Sequence, residues 1–118
     1  MDLKLSHRYT DGIAIIDIEG EVDIHTSSQL RELLLSLIRK GYYQLVVDLD
    51  KIAFLDSTGL GVLVGSLKRV REHDGSISLA CTQERILKIF RITGLMSVFG
   101  IYSSVDEALD AAAVQDPA

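Results

Sequence analysis

The chain has 118 residues, with 12 basic and 17 acidic side chains and a net charge of −5 at pH 7. At 13.0 kDa, with 47% hydrophobic and 25% charged residues, it has the makings of one soluble globular domain. The acidic balance speaks against gripping a phosphate backbone, and no apolar run reaches the ~18 residues of a bilayer span. The single Cys81 forms no internal disulfide, and His7, His25 and His73 have no metal-ligand spacing. Residues 1–8 carry charges where a secretory leader needs an apolar stretch. A cytoplasmic protein with no nucleic acid, no membrane span, no metal and no cofactor is expected.

Residues 3–9 alternate weakly and predict a first strand. Thr10-Asp11-Gly12 is turn chemistry, and the β-branched run 13–18 predicts a second strand in a hairpin with the first. Gly20-Glu21-Val22-Asp23 leads to Thr26-Ser27-Ser28-Gln29, a capping-box pattern in which Thr26 caps and Gln29 reaches back. Leu30, Leu33, Leu34, Leu37 and Ile38 recur at helical spacing, with Gly41 as the stop. Residues 45–49 form a short apolar run, as a buried strand does. Residues 54–61 turn into a second helix that continues to about His73, with Asp74-Gly75 ending it.

Residues 77–80 predict another buried strand. Thr82 is placed to cap a third helix through Ile86, Leu87, Ile89 and Phe90, with Gly94 as its stop. A last strand is expected over 98–102. Ser104-Val105-Asp106-Glu107 is a second capping box and opens a helix through Leu109; from Ala111 onward there is little to bury and fraying is expected. The order is ββαβαβαβα. Alternation after the hairpin predicts parallel strands joined by right-handed crossovers: a single α/β domain, with a mixed, mostly parallel sheet and helices packed on it.

The segment Asp56-Ser57-Thr58-Gly59-Leu60-Gly61 is the most informative. It follows an apolar strand and opens a helix, on the sheet edge where α/β domains meet ligands and partners. Ser57 or Thr58 has a purely structural use there as a helix cap. Gly59, Gly61 and Gly65 are spaced G-x-G-x-x-x-G, which matches neither a dinucleotide fingerprint nor a P-loop, and Asp56 would repel a pyrophosphate. Gly61 and Gly65 are expected to permit close helix–sheet packing. The segment is not G-x-S-x-G, and His25 reads as a surface residue rather than a base. Asp48 at a strand end is like the phosphoacceptor of a receiver domain, but Asp17 and Glu19 are poorly placed as its magnesium partners. Cys81 reads as a small core or rim residue.

Two stretches and the element order together resemble the STAS domain family, and within it the bacterial anti-sigma factor antagonists. Gly20-Glu21-Val22-Asp23 is similar to that family's G-E-(L/I/V)-D stretch, and residues 54–61 to its D-S-(S/T)-G-(L/I/V)-G signature loop. The resemblance covers residues 1–112, with 113–118 left as a frayed tail. It implies a partner-switching protein that is not an enzyme. Unphosphorylated, such a protein binds an anti-sigma factor with serine kinase activity and so frees a sigma factor. Phosphorylation at Ser57 releases the partner, and a serine phosphatase restores the serine.

By the same resemblance Asp23, Asp56, Ser57, Thr58, Gly59, Leu60 and Gly61 form the partner-binding surface. The last four shape the loop and helix start. Asp23 is equally readable as a solvated or capping carboxylate. Other family roles are a scaffold in a stress-sensing complex or the soluble subunit of a lipid-transport ATPase complex; the Asp56-Ser57 pair favours the antagonist. A small-molecule-binding or catalytic domain would need convergent polar groups in a pocket, which the sequence does not offer.

Overall fold

A computed structural model of the protein describes residues 2–115. Its elements are β1 (Leu3–Thr10), β2 (Ile13–Val22), α1 (Ser27–Arg39), β3 (Gln44–Leu55), α2 (Ser57–Arg71), β4 (Ser76–Ala80), α3 (Glu84–Ile92), β5 (Gly100–Tyr102) and α4 (Val105–Gln115). The expected order is found in full. One five-stranded sheet runs β1-β2-β3-β4-β5 in space. β1 is antiparallel to β2, and every later pair is parallel.

The hairpin closes with a two-residue turn, since Thr10 pairs with Ile13. Asp11 and Gly12 both take positive φ, 50° and 80°. That is the geometry whose twist matches a right-handed strand pair, and Asp-Gly is a sequence that adopts it readily. Beyond the turn, β2 is buried on both faces, as its unbroken apolar run requires. Ala14, Ile16 and Ile18 join the main core with Leu30, Leu34 and Leu37 of α1, Leu63 and Leu67 of α2, and Ile86 and Phe90 of α3. Ile13 and Ile15 join Val46 on the opposite side, where Ala108 and Ala112 of α4 pack. The sheet is therefore covered by three helices on one face and by α4 on the other.

Several boundaries differ from expectation. β3 runs to Leu55 rather than stopping at 49, because Lys51, Ile52, Phe54 and Leu55 still pair with Glu19, Gly20, Glu21 and Val22. Register shifts between Asp17 and Glu19 and between Gly20 and Glu21 break the two-residue alternation there, which hides the strand from pattern reading. β5 is limited to Gly100–Tyr102, since Val98 and Phe99 donate to the Leu95 carbonyl in a turn.

α4 continues to Gln115, and Ala112 is buried where fraying was expected: a small side chain is what lets the helix lie close on Ile13 and Ile15. Residues 116–118 of the expected tail lie outside the described residues.

The helix stops hold at Gly41 and Gly94: Tyr42 donates to Leu37 and Leu95 to Phe90, closing α1 and α3. In the stop after α2 it is Asp74, with φ 58°, that takes the left-handed position. Gly75 serves another purpose, because a Cβ there would lie 2.0 Å from the Tyr43 carbonyl oxygen. The second capping box is present in part. Ser104 Oγ accepts from the Glu107 amide at 3.1 Å, while Glu107 reaches back to the Ser103 amide at 3.3 Å.

Candidate functional site: the Asp56–Ser57 turn

Parallel pairing places the ends of β2 and β3 side by side, with Val22 opposite Leu55. The Asp56 amide then donates to the Val22 carbonyl at 3.1 Å, carrying the ladder one residue past the strand. Asp56 itself is extended (φ −104°, ψ −174°), and α2 begins at the next residue. The cap of α2 is thus Asp56, and neither Ser57 nor Thr58. A carboxylate with an extended backbone just before the first helical residue is well placed to accept the helix's free amides.

The Asp56 carboxylate is fully engaged. Oδ1 accepts from the amides of Thr58 (2.9 Å) and Gly59 (3.1 Å) and from the Thr58 hydroxyl. Oδ2 accepts from the Ile24 amide at 3.1 Å, across to the loop between β2 and α1. The Thr58 hydroxyl bond holds the Asp56 carboxyl below its ordinary pKa of 3.8. Partial burial works against this, and the Gly59, Thr58 and Ile24 amides reinforce it.

The loop carrying Ile24 is built by Asp23 and Thr26. Asp23 Oδ1 accepts from the amides of His25 (2.8 Å) and Thr26 (3.0 Å). Thr26 Oγ1 accepts from the Asp23 amide at 2.9 Å and donates to the Glu21 carbonyl at 2.7 Å. This reciprocal pair replaces the expected Thr26–Gln29 box: the Thr26 side chain makes no capping bond to α1. Buried Thr26 is committed backward, to the strand and to Asp23. Desolvation pushes the Asp23 carboxyl up, but the His25 and Thr26 bonds outweigh it and leave the pKa lowered. The Asp23 carboxylate therefore braces the turn that precedes α1 and caps no amide of the helix itself, and it uses only Oδ1 among the described residues.

Ser57 is different from its neighbours. It is the first residue of α2, it is exposed, and its hydroxyl has no hydrogen-bond partner among the described residues. Thr58 is half-buried with its hydroxyl spent on Asp56. Gly59 is buried, and a Cβ there would lie 2.6 Å from side-chain carbons of both Leu55 and Val22. Leu60 turns into the core. A Cβ at Gly61 would meet nothing within 4 Å, and the same holds at Gly65. The close helix–sheet approach expected of Gly61 and Gly65 belongs to Gly59 instead. Gly61, one turn after Ser57, lines a groove of about 340 Å³ with Ser27, Ser28, Arg31, Thr58 and Val62.

The structure thus brings Asp23, Asp56 and Ser57 to one sheet edge. It adds two residues that sequence reading missed, Ile24 (69% exposed) and Phe54 (48% exposed). Large apolar side chains left in water near such a turn are a feature of contact surfaces. The only sequence signal for them was an isoleucine and a phenylalanine next to the two aspartate motifs. Asp48 instead accepts from the Asp50 amide at 3.0 Å, and Asp50 holds the amide and hydroxyl of Thr82, so Thr82 caps nothing. Cys81 is buried, and desolvation raises its thiol pKa.

The family model described as STAS domain matches residues 4–108. The chain belongs to the STAS domain family. It is 35% identical over 101 residues to the anti-sigma-B factor antagonist of Bacillus subtilis, a match covering 86% of this STAS chain and 92% of that relative. The fold superposes on an anti-sigma factor antagonist from Mycobacterium paratuberculosis with a TM-score of 0.88 at 24% identity, covering 95% of each chain. It also matches the Bacillus cell fate determinant SpoIIAA in its phosphorylated form, with a TM-score of 0.73 at 23% identity over 93% of this chain and 98% of that one.

Proposed function

We propose that this STAS protein is an anti-sigma factor antagonist switched by phosphorylation of Ser57. Unmodified, it binds an anti-sigma factor through Asp23, Asp56, Ser57 and the turn shaped by Thr58, Gly59, Leu60 and Gly61, and a sigma factor is freed. The anti-sigma factor's serine kinase activity then modifies Ser57. The Ser57 oxygen bonds to the γ-phosphorus of ATP, the bond to the ADP oxygen breaks, and the hydroxyl proton leaves to a base on the kinase. A serine phosphatase reverses the change, and the exchange takes place in the cytoplasm. On this reading the protein is substrate and binder, not catalyst, and the kinase supplies the base that activates the Ser57 hydroxyl.

The observation that carries this reading is the free, exposed Ser57 hydroxyl on a helix start already capped by its neighbour. Because Asp56 does the capping, Ser57 is dispensable to the fold and available to a kinase. A phosphate adds about −1.5 to −2 charges at pH 7. The Thr58 and Gly59 amides, natural anion donors at a helix start, are occupied by Asp56. The new charge therefore stands beside the ionised Asp56 carboxylate and projects into the interface. A like-charge contact there costs several kcal/mol, and every 1.4 kcal/mol is about tenfold in affinity.

The test is intact mass and peptide mapping after incubation with ATP and the anti-sigma kinase of the same organism. One phosphate on Ser57, absent from Ser57→Ala, supports the reading; no uptake by the wild type overturns it.

A further inference from the structure

Away from the serine, the end of β3 and one face of α3 enclose a groove of about 330 Å³. Its apolar wall is Phe54, Ile89 and Ile92, with Phe54 48% and Ile92 73% exposed. Arg85 and Lys88 stand on its rim, and neither makes a salt bridge among the described residues; Glu84, which feels the Lys88 charge, is bridged to Arg91 instead. Arg85, Lys88, Ile89 and Ile92 recur at helical spacing, so α3 presents a stripe to the groove while Ile86 and Phe90 fill the core behind it. An apolar floor with an unpaired basic rim fits one kind of visitor: a large apolar side chain flanked by carboxylates.

We infer that this groove is a second docking surface for the anti-sigma factor, taking an apolar anchor from an acidic segment of that partner. The inference rests on the antagonist reading. Continuity supports it, because Phe54 and Leu55 line the groove and run directly into Asp56 and Ser57. Charge disfavours a second copy whose two-fold axis passes through the groove, because that arrangement would bring the two Arg85–Lys88 rims close together. The groove is built by α3 and β3 and not by α2, so it serves recognition rather than phosphoryl transfer.

The test uses Ile92→Ser and Lys88→Glu in the full chain, both at exposed positions, with thermal melts to verify folding. Each is titrated against the anti-sigma factor of the same organism, and its phosphorylation kinetics are measured. Ile92→Ser is expected to weaken binding about tenfold or more, the worth of one buried aliphatic side chain. Lys88→Glu is expected to slow association and reduce its dependence on salt. Both should raise KM for phosphorylation and leave kcat unchanged, because Ser57 is untouched.

Wild-type affinity and KM in both folded variants, with Ser57→Asp still releasing the partner, would overturn the groove proposal and leave the antagonist reading standing. Failure of the wild type to bind or take phosphate would sink both. A wild-type dimer that Ile92→Ser dissociates, with partner affinity unchanged, would make the groove a self-association face and overturn the proposal.

Discussion

The Asp56 carboxylate and the Ile24 amide, 32 residues apart in sequence, meet in a 3.1 Å hydrogen bond that ties the start of α2 to the loop before α1. Through this bond one side chain both caps a helix and sets the position of the neighbouring loop, with Asp23 and the exposed Ile24 on it. The surface proposed to meet a partner is therefore held together by the residue next to Ser57, the proposed phosphoacceptor.

Asp56→Ala should expose that dual role. Loss of an N-cap costs about 0.5–2 kcal/mol. Chemical denaturation is expected to show a lower midpoint with an unchanged slope. Amide exchange should accelerate at Ile24 as well as at Thr58 and Gly59. Faster exchange confined to α2 would show that the loop is held by other means.

Asp56 and Asp23 both have pKa values lowered from 3.8. A carboxyl that releases its proton more readily in the folded state stabilises that state above its unfolded pKa. The contribution is complete above about pH 4 to 5 and is lost as pH falls through the lowered folded values. Stability is expected to decline on acidification below pH 4, and to decline less steeply in Asp56→Ala. Unfolding free energies measured across that range check the sign, and a variant curve as steep as the wild type would contradict it.

Two glycines two residues apart, on opposite sides of α2, should respond in opposite directions. Gly59→Ala puts a methyl group against Leu55 and Val22 and is expected to destabilise by about 1–3 kcal/mol. Gly61→Ala meets open space in a helix and should stabilise by roughly 0.5–1 kcal/mol. Paired thermal melts decide it. Gly61→Ala also narrows the groove between the starts of α1 and α2, so its affinity for the anti-sigma factor should fall although its stability rises.

Thr58→Ala should remove the hydroxyl bond to Asp56, cost about 1 kcal/mol, and still accept phosphate at Ser57. Loss of phosphorylation in a folded Thr58→Ala protein would move the acceptor to the threonine.

The order of elements was legible because each helix repeats its apolar residues at a helical period and each strand is an apolar run bounded by turn residues. Leu30, Leu34, Leu37 and Ile38 are buried as that spacing requires. What escaped were features set by contacts between distant segments. The last six residues of β3 are strand only because the irregular end of β2 pairs with them. Thr26 looks like a cap in isolation, but the Glu21 carbonyl and Asp23 claim its hydroxyl.

At the site, the sequence singled out residues that the fold brings together, and left their division of labour open. Ser57, Thr58 and Asp56 are all capping residue types, and only the extended backbone at Asp56 shows which one caps. Phe54 and Ile24 were invisible as surface residues, since an apolar residue beside a strand end is ordinarily assigned to the core.

The central claim is that phosphate on Ser57 acts on the interface and not on the fold. It is tested most directly by purifying the Ser57-phosphorylated protein and titrating it and the unmodified protein against the same anti-sigma factor, with melting curves for both. The account predicts near-identical melts and an affinity for the phosphorylated form weaker by about a hundredfold or more, the equivalent of roughly 3 kcal/mol. Equal affinities, or a phosphorylated protein that has lost its folded transition, would contradict it.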